Sequence, residues 1–526
     1  MGVVSPSPTI PMDASPSPSL SRKNRIALAA VCMASLMFGL EISSVPVILP
    51  TLEKVLHGQF KDMQWIMNAY TLACTTVLMA AGTLADRYGR KRMFMVSLLL
   101  FGLTSLICGF AASTSVLIVS RFLQGMGGGA MLIGLISILS HQFREGKERS
   151  KAFAAWGVIF GIGLGFGPII GGLIVALSNW QWVFLIHVVL TVVTLALAAI
   201  SVEESRDPQA QHLDLLGIVT LSASVFCLTY FITQGPELGF RSGAAIVILS
   251  LAVISFLLFL LVERLHSYPM FDFSVFRIRA FSGAIFGSIG MNFSFWPFMI
   301  YLPIYFQSGL GYGIVPAGFA LLAYTLPTLV IPPLAERLSL RYQPRVVIPS
   351  GMFTIGLGFI LMKYGSQSEH ASWLSMLPGC LLAGIGLGMT NTPVTNTTTG
   401  SVPSTRAGMA SGIDMSARLI TLAINIALMG FLLLEGILAH LKHALPSVVD
   451  AHALRSAAEK IAAGNLAAAP LSAPGISADM AHAALVQGFG NVMLYGGIGV
   501  WVLAAISFTV FGSGKLTAPV QVACED

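Results

Sequence analysis

Apolar stretches of about 20 residues recur along nearly the whole chain, separated by short polar segments. A helix needs about that many apolar residues to cross the hydrocarbon core of a bilayer. Fourteen spans are predicted: 26–50, 63–84, 94–112, 115–138, 151–176, 182–202, 213–234, 242–262, 280–306, 314–335, 345–364, 373–395, 407–437 and 487–511. The chain therefore reads as an all-α polytopic membrane protein. The first apolar run is too long for a signal-peptide core and lacks a small-residue cleavage site, so it reads as an uncleaved span. Residues 1–24 are rich in Ser and Pro at their start and read as a disordered cytosolic tail. Residues 438–486 form a long outer loop in which Ala451 to Ala463 suits a surface helix.

Composition agrees with the pattern. Of 526 residues, 55% are hydrophobic and 10% charged, against about 25% charged in soluble domains. The 53 glycines suit close packing of helices in lipid. The net charge of +6 sits in short loops rather than on one surface, so it indicates no nucleic-acid partner. Its distribution sets the topology. With the N-terminus inside, 20 Lys and Arg fall on the inner side and 7 on the outer, leaving Arg121 and Arg418 within spans. This bias puts both termini in the cytoplasm of a multi-pass inner (cell) membrane protein. Cys32, Cys74, Cys108, Cys227 and Cys380 lie in apolar runs without metal-ligand spacing, and Cys524 is in the tail. No cofactor and no metal is indicated.

Two inner loops resemble one another. Gly82-Thr83-Leu84-Ala85-Asp86-Arg87-Tyr88-Gly89-Arg90-Lys91-Arg92 follows the second span, and Leu334-Ala335-Glu336-Arg337, then Arg341 and Arg345, follows the tenth. Each loop lies between the second and third helix of a six-helix set if spans seven and eight are an insert, the pattern of an internally repeated transporter. The expected organisation is a tail (1–24), a six-helix bundle (25–202), two inserted helices with linkers (203–279), a second six-helix bundle with its outer loop (280–511), and a cytosolic tail (512–526).

A charge inside a span is costly and usually functional. Arg121 lies about six residues below the outer end of the fourth span, and Glu41 about nine below the outer end of the first, a depth difference of roughly 5 Å at 1.5 Å per residue. Pro46 removes a helical hydrogen bond close to Glu41. Burial favours a neutral carboxyl and a neighbouring arginine an ionised one, so helix motion that alters both changes proton affinity. A static ion pair fixing helix register is the competing account. In the thirteenth span, Asp414 and Arg418 are four apart on one face, as a second proton-coupling pair or a plain intrahelical one. His187 reads as a hydrogen-bonded core histidine, and Glu435 as a hydrated carboxylate near the outer end of the thirteenth span.

The fifth span carries two glycine rows, Gly157, Gly161 and Gly165, and Gly163, Gly167 and Gly171, with Pro168 and Gly172 beside them. One row suffices for packing; two rows and a proline suit a bending element at the joint between bundles. In the second loop, Gly82, Asp86, Arg87, Gly89 and Arg90 form a compact unit in which Gly89 permits a tight turn and Asp86 can accept from a helix N-terminus or Arg90. The ninth span is dense in aromatics. Asn292, Phe295, Trp296 and Tyr301, with Gln124 of the fourth span, are the candidates to line a substrate cavity.

These residues resemble the major facilitator superfamily, and within it the fourteen-helix drug:proton antiporters of the EmrB/QacA-like branch. Gly82 to Arg92 is similar to that family's loop after helix 2, Arg121, Gln124 and Gly125 to its helix 4 motif, and Gly157 to Gly172 to its antiporter motif. Ala410-Ser411-Gly412 with Arg418 supports the branch. The chain departs from the family by Glu41 in place of Asp, Pro46 in place of Asn, Trp180-Gln181-Trp182 in place of Trp-Arg-Trp, and His187 in place of Asn. The resemblance implies proton-driven export of amphipathic drugs by alternating access, with Arg121 in proton transfer. Its partners would be a small-molecule substrate, protons and membrane lipid; docking of a periplasmic adaptor is left open. A dedicated exporter of one endogenous metabolite such as a siderophore shares the mechanism, and a proton-coupled uptake symporter differs in direction. No nucleotide-binding loop or nucleophile–base set points to an enzyme.

Overall fold

A computed structural model describes residues 21–143, 146–206, 214–265, 273–368, 370–402, 407–445, 450–473 and 475–512; the tails at 1–20 and 513–526 lie outside the described residues. Every regular element among them is helical: α1 (Arg22–Val55), α2 (Phe60–Tyr88), α3 (Arg90–Gly109), α4 (Thr114–Gln142), α5 (Gly146–Leu177), α6 (Gln181–Ser201), α7 (Leu215–Leu238), α8 (Gly243–Leu265), α9 (Arg279–Phe293), α10 (Phe295–Ile304), α11 (Ile314–Thr325), α12 (Pro327–Val330), α13 (Pro332–Tyr342), α14 (Pro344–Ser366), α15 (Trp373–Gly400), α16 (Ala407–Ala444), α17 (Ala451–Ala462), α18 (Ala469–Ser472) and α19 (Ala478–Phe511). Among the described residues, twelve helices are long and apolar enough to cross a bilayer, thirteen if the bent pair over α11–α13 counts as one. The expected count of fourteen is not reached by this measure. Helix α2 is not among the helices so counted.

Proline explains where expected single spans are broken. The ninth splits at Ser294 into α9 and α10, because Pro297 has no N–H for the Phe293 carbonyl. The tenth bends by 41° between Val330 and Pro332. The last helix starts at Ala478 rather than 487, where Ser477 accepts from the Met480 amide at 3.1 Å and Asp479 occupies the first turn. That polar first turn hides the helix from an apolar count.

Helices α1 to α6 pack on one another, α1 against α4, α5 and α6, and α4 against α2 and α3. A second group joins α14 to α15 and α19, and α9 to α15, α16 and α19. The two groups meet where α5 crosses α11 and α12, where α2 lies on α16, and where α1 lies on α10 and α11. Helix α7 pairs with α8 and rests on α2 and α16, with Leu221, Val225 and Phe259 closing on Leu72 and Ala423. Helix α17 lies in the predicted outer loop and buries Leu454, Ala457, Ala458 and Ile461.

The two inner loops do repeat, in a register different from the expected one. Each turn rests on one residue of positive φ: Gly89 (φ 112°) between α2 and α3, and Gln343 (φ 68°) between α13 and α14. This pairs Arg87-Tyr88-Gly89 with Arg341-Tyr342-Gln343, and in both the guanidinium carbon lies over the tyrosine ring, at 5.5 and 5.3 Å. Glu336, expected to match Asp86, sits further back in α13 and accepts from Asn396 at 2.8 Å with both oxygens. The third helix of each group is also tied to the end of the sixth: the Arg90 amide donates to Ser205 O at 3.0 Å, and Arg345 to Gly512 O at 3.3 Å.

Gln343 holds a backbone conformation that glycine adopts freely and other residues adopt at a cost of about 1–3 kcal/mol. Gln343→Gly is expected to raise the thermal unfolding midpoint in detergent. Gly89→Ala is expected to lower it, because its Cβ would also lie 2.6 Å from Glu204 Oε1. A fall for Gln343→Gly would mean the turn is not strained.

Candidate functional site

Glu41 and Arg121, on α1 and α4, are each fully buried, and their side chains meet: Arg121 Nη1 donates to Glu41 Oε1. The cluster around them is closed. Arg121 Nε donates to the Ile66 carbonyl at 3.1 Å, and Nη1 also to Gln124 Oε1 at 2.8 Å. Gln124 Nε2 donates to Glu41 Oε2 at 3.1 Å and to Ser105 Oγ at 2.8 Å. His187 Nε2 of α6 stands 3.0 Å from the same Glu41 oxygen. Four helices thus converge on one carboxylate and one guanidinium, the arrangement that makes a buried charge tolerable. The remaining nitrogen, Arg121 Nη2, has no hydrogen-bond acceptor among the described residues, and Arg121 Cζ sits 4.3 Å from the centroid of the Tyr70 ring.

His187 is the member whose partner sequence reading left unnamed. It does hydrogen-bond in the core, and its partner is Glu41. A signal was available, since His187 lies about as far inside α6 as Arg121 lies inside α4. Gln124 is the reverse case. Expected to line a cavity, it is enclosed by Arg121, Glu41 and Ser105.

A small apolar cavity lies beside the cluster, where α1, α2, α10 and α16 meet. Phe38, Ile42, Met67, Tyr70, Trp296 and Met299 form much of its wall. Of the other cavity candidates, Phe295 is buried and stacks on Tyr324 with centroids 4.0 Å apart. Tyr301 is buried, donates to the Ile426 carbonyl and accepts from Gln64 Nε2 at 3.1 Å. Asn292 turns back on its own helix, donating to Ser288 O at 2.9 Å. Trp296 alone of the five lines this cavity.

The two glycine rows of α5 face different partners. On one side a Cβ at Gly163 would lie 2.9 Å from Leu36 O, at Gly167 1.7 Å from Ser43 Oγ, and at Gly171 2.9 Å from Ser44 Cβ, all on α1. On the other, Gly161 and Gly165 receive Leu329 of α12, Gly172 meets Ile314 O at 3.1 Å, and Thr325 Oγ1 donates to Gly165 O at 2.8 Å. Gly157, the inner end of that row, has open space beside it. Helix α5 runs unbroken through Pro168, whose carbonyl lies 2.9 Å from where a Gly318 Cβ would be.

Of the expected loop, Gly82, Asp86 and Arg87 fall within the last turns of α2, and the Asp86 side chain lies outside the described residues. The acceptor at the N-terminus of α3 is Glu204, which takes the amides of Lys91 (3.1 Å) and Arg92 (3.3 Å). Arg87 is exposed.

A model of the Major Facilitator Superfamily matches residues 31–425. The chain belongs to that superfamily. It is therefore a multi-pass membrane transporter. Among superfamily relatives it is 32% identical over 439 residues to the multidrug resistance protein Stp of Mycobacterium tuberculosis, covering 83% of this chain and 81% of Stp. It is 28% identical over 493 residues to the tetracenomycin C resistance and export protein of Streptomyces glaucescens, covering 91% and 90%. The quinolone resistance protein NorB of Staphylococcus aureus is 27% identical over 416 residues, covering 79% and 89%.

The second half of this superfamily chain holds its own ion pair. Arg418 reaches Asp414 through Nε (3.2 Å) and Nη2 (3.0 Å), and Ser288 Oγ donates to Asp414 Oδ1. Arg418 also donates to Asn391 Oδ1 at 2.5 Å and to Thr395 Oγ1 at 2.9 Å. The intrahelical pair expected from the spacing is thus also a tie between α9, α15 and α16.

Two predictions follow from these geometries. Arg121→Met strands Glu41 in the membrane, and about 3–5 kcal/mol of stability should be lost. Adding Glu41→Gln should recover much of it, read by unfolding in detergent; a double variant no better than the single would exclude the pair as the cause. On α5, Gly163→Ala should destabilise strongly, because it presses on α1 backbone that cannot yield, whereas Gly157→Ala should be near neutral. Equal effects in unfolding midpoints would refute the two-sided packing of this helix.

Proposed function

We propose that the protein is a proton-driven exporter of amphipathic drugs or toxic compounds, working by alternating access as a drug:proton antiporter. The observation that carries this reading is the Glu41–Arg121–Gln124–His187 cluster lying directly beside an apolar cavity between the two helix groups. A carboxylate so enclosed changes its proton affinity when its donors move. The names of Stp, a multidrug resistance protein, NorB, a quinolone resistance protein, and the tetracenomycin C resistance and export protein support drugs as the substrate class and export as the direction.

In this reading α2 is the fourteenth span, the Lys and Arg bias sets both termini in the cytoplasm of the cell membrane, and α7–α8 are peripheral. The six-helix bundles at 25–202 and 280–511 rock about the cavity. Opening to the outside breaks the polar contacts that cross between them, including Gln307 Nε2 to Val47 O (2.9 Å) and Asn465 Nδ2 to Glu53 Oε1 (3.4 Å). Sliding occurs at α5, where Gly161 and Gly165 leave α12 room to move. Glu41 carries the proton, Arg121, Gln124 and His187 hold it in register, and Asp414 with Arg418 forms a second candidate for coupling. Coupling requires proton and drug to differ in affinity between the inward and outward states.

Glu41→Gln tests the proposal. In everted membrane vesicles with an imposed pH gradient, wild type should accumulate a fluorescent drug against its gradient. The variant should insert at normal levels and lose at least about tenfold in the proton-driven rate, the loss of one general proton-transfer group being worth that much or more. Undiminished transport by Glu41→Gln would overturn it.

A further inference from the structure

Tyr70 of α2 belongs to both the cavity and the ion-pair cluster. Its ring borders the cavity with Phe38 and Trp296, and Arg121 Cζ lies 4.3 Å from the ring centroid. The ring is held in place by missing side chains on α4. A Cβ on Gly125 would lie 2.3 Å from Tyr70 O, and one on Gly128 2.6 Å from Tyr70 Oη. These two glycines admit α2 so closely that Tyr70 lies along α4 beside Arg121. Arg121 spends its other donors on Ile66, Glu41 and Gln124, while Nη2 has no acceptor among the described residues. The π face is thus a principal remaining attraction for the cation.

Among the described residues, the cavity lining holds no carboxylate and no amine. Among the described residues that line it, the polar groups are the Tyr70 and Thr71 hydroxyls, the Cys74 thiol and the Trp296 indole N–H, set among aromatic, thioether and aliphatic groups. Such a wall offers stacking and dispersion but no partner for a localised charge.

We propose that Tyr70 is the positioning residue through which the occupant of the central cavity and the Glu41–Arg121 pair sense each other, and that the occupant is a planar compound, uncharged or with delocalised charge, stacked on that ring. This rests on the proton-driven reading above. When Glu41 takes a proton, the charge facing Arg121 is removed and the guanidinium draws harder on the Tyr70 ring. That draws π density to the Arg121 side and weakens stacking from the cavity side. Reciprocally, a ligand stacked on Tyr70 favours the ionised pair, since coupling between two sites acts equally in both directions. The sign is that of antiport: loading the proton loosens the drug. The other titratable or charged groups around the pair are His187 on α6, Cys74 on α2 and Cys108 on α3; α5 meets α1 with glycines.

The test is equilibrium binding of ethidium, a planar dye with delocalised charge, to the full-length protein in lipid nanodiscs, read by fluorescence between about pH 5.5 and 8. Wild type is expected to bind at least about fivefold more tightly at the upper end, the low end of ordinary two-site coupling. Tyr70→Phe, which keeps the ring, should retain that ratio. Tyr70→Leu, with Tyr70→Met as a second ring-free variant should leucine fail to fold, should still bind but lose the pH dependence, as should Glu41→Gln. Full pH dependence in both ring-free variants, with none in Glu41→Gln, overturns the role of Tyr70 and leaves proton coupling standing. Full dependence in Glu41→Gln overturns Glu41 as the proton carrier and places the titration on His187. Wild-type binding that ignores pH overturns both, and wild type that does not bind ethidium overturns the ligand class.

Discussion

A guanidinium buried in a membrane must be neutralised and hydrogen-bonded where it stands, and much of the first half of this protein is arranged to satisfy Arg121. Glu41 supplies the opposite charge from α1, Gln124 the amide bridge from α4, Ile66 a carbonyl from α2, and His187 a ring nitrogen toward the same carboxylate from α6. None of these helices can shift alone without stranding a polar group, so the cluster ties four helices to a common register. Exposed ion pairs are worth little. Here the alternative to the pair is a lone charge in lipid, and that alternative carries the energy.

Such convergence needs close helices, and glycine makes the room. Gly125 and Gly128 on α4 let α2 approach, and Gly163, Gly167 and Gly171 on α5 let α1 approach. The second α5 row does something different, because its partners, α11 and α12, belong to the other helix group. One helix therefore joins a tight intragroup seam, pinned by Ser43 Oγ donating to Gly163 O at 2.9 Å, to a smoother surface on which Leu329 lies over bare backbone.

The spans were legible because lipid demands long apolar runs, and the Glu41–Arg121 contact because two rare charges lay at nearly one depth. What stayed hidden was hidden for physical reasons. Depth gives no azimuth, so Phe295, Tyr301 and Asn292 could not be sorted from Trp296 until the bend at Ser294 and the packing of α10 were known. Gln124 has no charge to betray a buried partner. The loop repeat was matched on the acid, yet the backbone pairs Gly89 with Gln343, and Gln343 conceals a turn that glycine would have advertised. Glu204 as the cap of α3 comes from a segment more than a hundred residues away, and no local pattern reports such a contact.

The placement of the cluster limits how coupling can work. Glu41 and Arg121 lie in the same helix group, so a rigid rocking of one group against the other leaves their contact unchanged. In the proposed mechanism, such a site registers the state of the transporter only through side chains or backbone that face both the pair and the opposite group. Ile42, next to Glu41, and Tyr70, under Arg121, border the cavity that α10 and α16 close from the other side. Pro46 leaves the Ile42 carbonyl without its helical donor, so α1 is weakened just beyond Glu41. The pair Asp414–Arg418 differs in kind, because it rides on one helix and cannot be parted by helix motion; only its ties to Ser288, Asn391 and Thr395 can change. Of the two ion pairs, the one whose partners stand on separate helices and whose neighbours line the cavity is the one whose environment a moving bundle can alter.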